Sequence, residues 1–86
     1  MRTIVFSPEA LNQLNEWRVT NPKTAVKIVA LITSISETPF SGIGKPEPLK
    51  FSLRGKWSRR ISHEHRLVYE VTDQEIKIIS CKFHYD

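Results

Sequence analysis

Residues 57 to 71 read WSRRISHEHRLVYEV, and this stretch decides how the whole chain is interpreted. Its two halves, Ser58 to Ser62 and His65 to Val71, look like strands, and His63-Glu64 between them fits a hairpin turn. Arginines and histidines are concentrated in the middle of this stretch. A strand whose only role is to build a hydrophobic core does not need several such side chains close together. The stretch therefore predicts paired strands that also present cations to a negatively charged partner.

Length and composition predict one small folded domain, residues 1–86. A chain of 86 residues has core enough for one packed unit, and 40% hydrophobic with 26% charged residues is ordinary for a soluble protein. No apolar run approaches the roughly 20 residues that span a membrane, and MRTIVFSPEA shows no signal peptide. The one cysteine, Cys81, cannot form an internal disulfide. We therefore expect a cytoplasmic protein with no membrane partner.

The positive charge is concentrated in the middle of the chain. From Lys45 to Arg66 there are seven cations and two anions, a net charge of +5. The rest of the chain carries six cations and seven anions, a net charge of −1. A cluster of this kind creates a local field that attracts a polyanion, although charge alone also fits a solvated basic surface.

Two helices are predicted in the N-terminal half. Ser7 and Asn21 each suit a helix N-cap, and each is followed by a proline at the first helical position, where the missing N–H costs nothing. Leu11, Leu14 and Trp17 recur at helical spacing in the first helix. The core stripe expected of the second helix consists of Ala25, Ile28, Val29, Ile32 and Ile35.

Five strands are predicted, at residues 2–6, 49–53, 58–62, 65–71 and 75–85. Side chains alternate along a strand, so Leu67 and Tyr69 would face the helices while Arg66 faces the other side. In the last strand the same alternation predicts one face that would pack against the helices and one that would be open. The first consists of Ile79, Cys81, Phe83 and Tyr85, and the second of Ser80, Lys82 and His84. The expected fold is α+β, with two N-terminal helices packed on one face of a mainly antiparallel sheet and the other face left open for the cations.

A basic open face with a carboxylate and an imidazole nearby suggests cleavage of an RNA phosphodiester. Glu47 could remove the 2′-OH proton, His84 could protonate the leaving 5′-oxygen, and Arg66 could grip two phosphate oxygens with its planar guanidinium. Each residue also has a plainer interpretation: Glu47 as an exposed loop residue, Arg66 as the ion-pair partner of Glu70, and His84 as a surface histidine.

A metal site is the weaker alternative. His63 and His65 stand two residues apart, and Cys81 and His84 lie near the chain end. This spacing matches no common zinc pattern, and no HExxH motif is present. We therefore predict no metal and no other cofactor.

The segments TPFSGIGKPEPLK, WSRRI, EHRLVY and KFHYD together resemble the YoeB group of the RelE toxin superfamily. The resemblance spans nearly the whole chain. It implies a microbial-ribonuclease-like α+β fold and a type II toxin–antitoxin toxin. It also implies an endoribonuclease that cuts mRNA in the ribosomal A site without metal, leaving a 2′,3′-cyclic or 3′-phosphate and a 5′-OH.

The resemblance assigns roles to particular residues. The general base falls on Glu47, the phosphate-stabilising residue on Arg66, the general acid on His84, and an aromatic that orders the substrate on Tyr85. Lys50 and Arg60 match basic residues of the family that grip RNA. The basic segment and the open face add Lys45, Arg59 and Lys82 to the residues expected to bind RNA. The chain departs from the family pattern by one extra residue, Asp86, whose carboxylate could raise the pKa of His84 or compete for Arg66.

The resemblance also implies partners. These are a cognate YefM-like antitoxin, the ribosome with its mRNA, and a second copy of the chain in a homodimer, with DNA reached only through the antitoxin. Two other functions remain open on the sequence: a non-catalytic module that blocks translation by occupying the ribosome, and a relative that acts on gyrase.

Overall fold

The computed structural model describes residues 2–83, in which two helices pack against a five-stranded sheet. The elements in chain order are β1 (Thr3–Phe6), α1 (Pro8–Thr20), α2 (Pro22–Glu37), β2 (Glu47–Pro48), a 3₁₀ helix (Phe51–Leu53), β3 (Lys56–Arg60), β4 (Arg66–Val71) and β5 (Glu75–Ser80). Neither helix of this part of the chain is long and apolar enough to cross a membrane.

Both helices begin at the prolines that the sequence indicated. The Ser7 hydroxyl accepts a hydrogen bond from the backbone N–H of Ala10 at 2.9 Å, which satisfies a donor in the first turn of α1. Asn21 precedes Pro22 at the start of α2, but its side chain makes no capping hydrogen bond. Its backbone N–H instead donates to the Trp17 carbonyl and ends α1. Asn21 therefore both ends α1 and precedes the first residue of α2.

The sheet has the strand order β1-β5-β4-β3-β2. Its hairpin-connected strands are antiparallel, and β1 joins the edge parallel to β5. The predicted α+β fold with a mainly antiparallel sheet is thus confirmed.

The core lies between the helices and one face of the sheet. Ile28 and Ile35 of α2 are fully buried against Tyr69 and the isoleucines of β5. Two details of the helical prediction are wrong. Val29 is 54% exposed, and Leu31, which the stripe omitted, is buried in its place. The buried stripe of α2 thus consists of Ala25, Ile28, Leu31 and Ile35.

The predicted strand at residues 49–53 is replaced by the short β2 and the 3₁₀ helix. Pro48 has no N–H to donate to a strand ladder, and Phe51 has a φ of +56°, which extended backbone does not allow. The segment therefore turns away from β3 after two paired residues, Glu47 opposite Ser58 and Pro48 opposite Trp57.

The last strand is also shorter than predicted, because β5 ends at Ser80. An irregularity in the β4–β5 pairing shifts the register between Val68 and Tyr69, so that Val68 pairs with Ser80 and Tyr69 with Ile78. One extra residue of β5 breaks the two-residue alternation there. As a result Ile78 and Cys81 are fully buried, whereas the predicted core residue Ile79 is only partly buried. Phe83, also predicted to face the core, lies beyond the end of β5 and is 62% exposed.

Candidate active site

A small cleft of about 70 Å³ lies on the sheet face away from the helices. It is lined by Lys45, Glu47, Ser58, Arg60 and Arg66. The strand register explains why these residues meet. Glu47 pairs with Ser58, and Arg60 two residues further along β3 pairs with Arg66, so all four side chains point to the same side of the sheet. The structure thus brings the predicted base Glu47 and the predicted phosphate clamp Arg66 into one cleft.

The cleft combines three cations with one carboxylate. Arg60 and Arg66 are directly opposite each other on neighbouring antiparallel strands. Like charges at such positions repel and reduce stability. A cleft of this composition suits an anion, because a bound phosphate would remove the repulsion between the two guanidinium groups and accept their hydrogen bonds.

The backbone of Arg66 also forms a hydrogen bond with Phe83, the last described residue. Its backbone N–H donates to the Phe83 carbonyl at 3.1 Å, and its Nη1 donates to the Ser62 carbonyl at 3.1 Å. The Phe83 N–H donates in turn to Nδ1 of His65 at 2.7 Å, and the His65 ring packs edge-on against Trp17 with centroids 4.8 Å apart. The predicted site residues His84 and Tyr85, like Asp86, lie outside the described residues.

A second, larger groove of about 300 Å³ adjoins the cleft. It is lined by residues 47–53 and therefore shares Glu47 with the cleft. The predicted RNA-binding residue Lys50 lies in this groove, next to Phe51, whose side chain is 86% exposed. Sequence reasoning missed Phe51 because the segment was interpreted as a strand. A clue was available in its position, since this aromatic lies between Lys50 and Arg54 in the most basic part of the chain.

One predicted RNA contact is contradicted by burial. Arg59 is 0% exposed, and its guanidinium donates hydrogen bonds to protein oxygens inside the domain. The reason is the alternation of side chains along β3, which sends Arg59 to the helix side and its neighbour Arg60 to the cleft. Arg59 therefore does not bind RNA in this structure.

Lys82 is also placed differently from the prediction. Because β5 ends at Ser80, the strand alternation does not extend to Lys82. Its ammonium forms an ion pair with Glu16 of α1 and lies 5.2 Å from the centroid of the Trp17 ring. These contacts direct Lys82 towards helix α1 and not into the cleft.

Two of the groups considered for metal binding, His65 and Cys81, have hydrogen-bond partners within the protein. Among residues 2–83, no three His, Cys, Asp or Glu side chains come close enough to hold a metal ion. His65 accepts the Phe83 N–H, as described above. Cys81 is buried, and burial raises the pKa of its thiol to about 11, so it is protonated and unreactive at neutral pH.

A family model described as the YoeB-like toxin of bacterial type II toxin–antitoxin systems matches residues 6–85. The chain belongs to the YoeB toxin family. Toxin RelK of Mycobacterium tuberculosis is 48% identical over 85 residues, which cover 99% of this chain and 100% of that toxin. The chain is accordingly a toxin of the type II toxin–antitoxin class, and the resemblance noted in its sequence is confirmed.

Solved structures of family members have the same fold. The YoeB dimer from Staphylococcus aureus superposes with a TM-score of 0.91 at 49% identity and covers 98% of each chain. The YoeB–YefM complex from Staphylococcus aureus superposes with a TM-score of 0.89 at 50% identity and covers 99% of each chain. These two family members therefore share the fold of this chain.

Proposed function

We propose that this chain is a ribosome-dependent endoribonuclease that cleaves mRNA in the ribosomal A site by acid–base catalysis without a metal ion. The observation that carries the proposal is the cleft on the open sheet face. It combines a carboxylate, Glu47, with three cations, two of which are arginines placed directly opposite each other.

The proposed reaction begins at the 2′-OH of the message. The Glu47 carboxylate takes the proton from this hydroxyl, and the oxygen attacks the adjacent phosphorus. Negative charge then builds on the non-bridging oxygens, where Arg66 and Arg60 stabilise it. Cations that are already positioned before the reaction lower the barrier more than mobile solvent does, because no reorganisation is needed as the charge develops.

The second proton transfer is assigned to His84. As the bond from phosphorus to the 5′-oxygen breaks, the imidazolium donates a proton to the leaving oxygen, and Tyr85 orders the substrate beside it. The position of Phe83 supports this role, because its carbonyl is hydrogen-bonded to the Arg66 backbone and His84 is the next residue in the sequence. The products are a 2′,3′-cyclic phosphate, which can open to a 3′-phosphate, and a free 5′-OH.

The remaining cations are proposed to bind the message. Lys45 lines the cleft, and Lys50 lies in the adjoining groove. Phosphate contacts of this kind release counterions, so binding to the programmed ribosome should weaken steeply as salt is added.

Two protein partners are proposed as well. The Staphylococcus aureus relatives are described as a YoeB dimer and as a YoeB–YefM complex, and we extend both modes of association to this chain. A YefM-like antitoxin with an acidic, partly disordered segment would suit the basic cleft, since charge attraction helps to offset the entropy lost when the segment becomes ordered. DNA would be reached only through the antitoxin.

The direct test uses purified protein and ribosomes programmed with a defined message. Primer extension should reveal cuts within the A-site codon, and the downstream fragments should accept a labelled phosphate from polynucleotide kinase without phosphatase treatment, because their 5′ ends are hydroxyls. An uncut message would contradict the proposal.

The metal-free step needs its own test, because ribosomes themselves require Mg²⁺. A message with a single phosphorothioate at the scissile linkage should be cut at the same rate whether or not thiophilic Mn²⁺ or Cd²⁺ is added. Rescue by these ions would show that a metal contacts the phosphate and would contradict the metal-free mechanism.

The His84→Gln variant distinguishes a nuclease from a module that blocks translation only by occupying the ribosome. A nuclease should lose growth arrest with this substitution, whereas a module that only occupies the ribosome would still stop growth. Damaged DNA with intact message would instead indicate action on gyrase.

A further inference from the structure

Arg59 is a fully buried charge whose hydrogen bonds are complete within the protein. A guanidinium has five N–H donors, and Arg59 donates five hydrogen bonds. The acceptors are the hydroxyls of Ser34 and Tyr69 and the carbonyl oxygens of Thr38, Ser41 and Ile43, at distances from 2.7 to 3.3 Å. A buried charge is tolerated only when its donors are satisfied in this way, so the group is held rigidly.

Four of these five acceptors belong to one continuous segment. Ser34 and Thr38 lie at the C-terminal end of α2, and Ser41 and Ile43 lie in the loop that follows. The fifth acceptor, Tyr69, donates its own hydroxyl to the Pro39 carbonyl at 2.7 Å and so fastens the same segment. Arg59 therefore ties the loop of residues 38–44 to the centre of the sheet.

The glycines of this loop allow its backbone to approach Arg59 closely. A Cβ atom on Gly42 would lie 3.2 Å from Nη1 of Arg59, and a Cβ atom on Gly44 would lie 3.2 Å from Cβ of Arg59. Both glycines have positive φ values, +115° and +81°. The Gly44 carbonyl also accepts the backbone N–H of Arg60 at 2.6 Å, immediately before Lys45 enters the cleft.

We propose that Arg59 is a positioning residue, which fixes the loop of residues 38–44 and thereby sets where Lys45 and Glu47 stand in the cleft. The catalytic part of this inference rests on the proposed ribonuclease function. The structural part does not, because the hydrogen bonds themselves make the loop rigid. Lysine cannot replace Arg59, since an ammonium has three donors in a compact group and cannot reach five oxygens spread around a planar fork.

The test compares Arg59→Lys with a stability-matched core variant, Ile28→Val or Ile28→Ala, whichever has the same Tm. Ile28 is fully buried in α2 and belongs neither to the cleft nor to the groove. In Arg59→Lys, hydrogen exchange at residues 38–47 should rise about tenfold or more over the matched variant, while exchange in β5 stays equal. On programmed ribosomes kcat should fall by about 10- to 100-fold, because small misplacements of a catalytic group have effects of this size.

The value of KM should change less than about threefold, because Lys50, Arg60 and Arg66 still contact the message. Ser34→Ala, which removes one of the five acceptors, should shift exchange and kcat in the same direction by a smaller factor. This second variant keeps the test decisive if Arg59→Lys does not fold.

Equal exchange at residues 38–47 in Arg59→Lys and the matched variant would overturn the proposal, as would equal kcat values. If the wild-type protein does not cut the message, the ribonuclease proposal fails, and the exchange measurement alone then decides whether Arg59 holds the loop.

Discussion

Two neighbouring arginines of β3 occupy opposite environments. Arg59 is 0% exposed and donates all five of its N–H groups to oxygens of Tyr69, the end of α2 and the loop that follows it. Arg60 is exposed, lines the cleft and stands opposite a second cation, Arg66. The N–H donors of the buried arginine are all hydrogen-bonded to neutral oxygens, whereas the exposed arginine stands opposite a like charge.

The surroundings of each arginine therefore decide its role. On the helix side the surrounding oxygens make Arg59 a structural anchor that contributes to stability. On the cleft side the repulsion between Arg60 and Arg66 lowers stability, and an anion between them would relieve it. The same strand therefore separates residues that maintain the fold from residues that are proposed to act on RNA.

The largest effect is expected on the cleft side. Arg66→Ala should slow single-turnover cleavage on programmed ribosomes by about 10²- to 10³-fold, because it removes a donor aimed at the phosphate. Its free energy of unfolding should change by less than about 0.5 kcal/mol, as for other partly exposed side chains. Rapid cleavage by a folded Arg66→Ala protein would show that the cleft is not the reaction centre.

The same substitution made at Arg59 and at Arg60 should distinguish the buried structural arginine from the arginine that lines the cleft. Arg59→Met should lower the free energy of unfolding by about 2–4 kcal/mol, since five hydrogen bonds to buried or partly buried oxygens are lost. Arg60→Met should not lower it, because this substitution removes a like charge directly opposite Arg66. Urea unfolding followed by tryptophan fluorescence measures both values, and equal losses at the two positions would contradict the distinction.

Much of this arrangement follows from patterns in the sequence. The N-terminal strand, both helices and β4 follow from capping residues and from periodicity. Glu47 and Arg66, which the sequence groups in one proposed site, line the same cleft. Arg59 should also have been recognised, because adjacent residues of a strand face opposite sides and cannot both reach the open face. The alternation of side chains along β3 is sufficient to predict that Arg59 and Arg60 face opposite sides of the sheet.

Other features depend on tertiary structure and could not be predicted from local patterns. The register shift beside Tyr69 changes which residues of β5 face the core, and no local pattern in Glu75–Ser80 reveals it. The positive φ of Phe51 turns a segment with strand-like composition into a 3₁₀ helix. The contact of Lys82 with α1 depends on where β5 ends.

A moderate effect is expected at Tyr69, the second fixed point of the anchored loop. Tyr69→Phe should lower the free energy of unfolding by about 1 kcal/mol, because the Pro39 carbonyl and the Nε group of Arg59 each lose a partner. Urea unfolding at neutral pH measures this difference, and an unchanged midpoint would show that the hydroxyl does not fasten the loop.

The difference in stability between wild type and Tyr69→Phe should also depend on pH, in a direction set by the pKa of Tyr69. Burial raises the pKa of Tyr69 above its ordinary value of 10.0, although Arg59 lowers it in part. The native state therefore holds the proton more tightly than the unfolded chain. The stability advantage of wild type over Tyr69→Phe should be complete below pH 10 and should shrink as the pH rises towards the folded pKa. A growing advantage over that range would contradict the assignment.

The smallest effect is expected from relieving the repulsion in the cleft. Arg60→Gln should raise the free energy of unfolding by about 0.2–1 kcal/mol, since it removes a like charge directly opposite Arg66. The same variant should bind programmed ribosomes more weakly, with a salt dependence reduced by about one counterion. A loss of stability at low salt would show that the two arginines do not repel each other.

The most direct test of the central claim, that the cleft carries out the cleavage, is the single-turnover rate of Glu47→Gln on programmed ribosomes together with its ribosome affinity. Glutamine has the size of glutamate but cannot accept the 2′-OH proton at neutral pH. We expect unchanged ribosome affinity and a cleavage rate about 10²- to 10⁴-fold below wild type. Cleavage at the wild-type rate by the bound variant would contradict it.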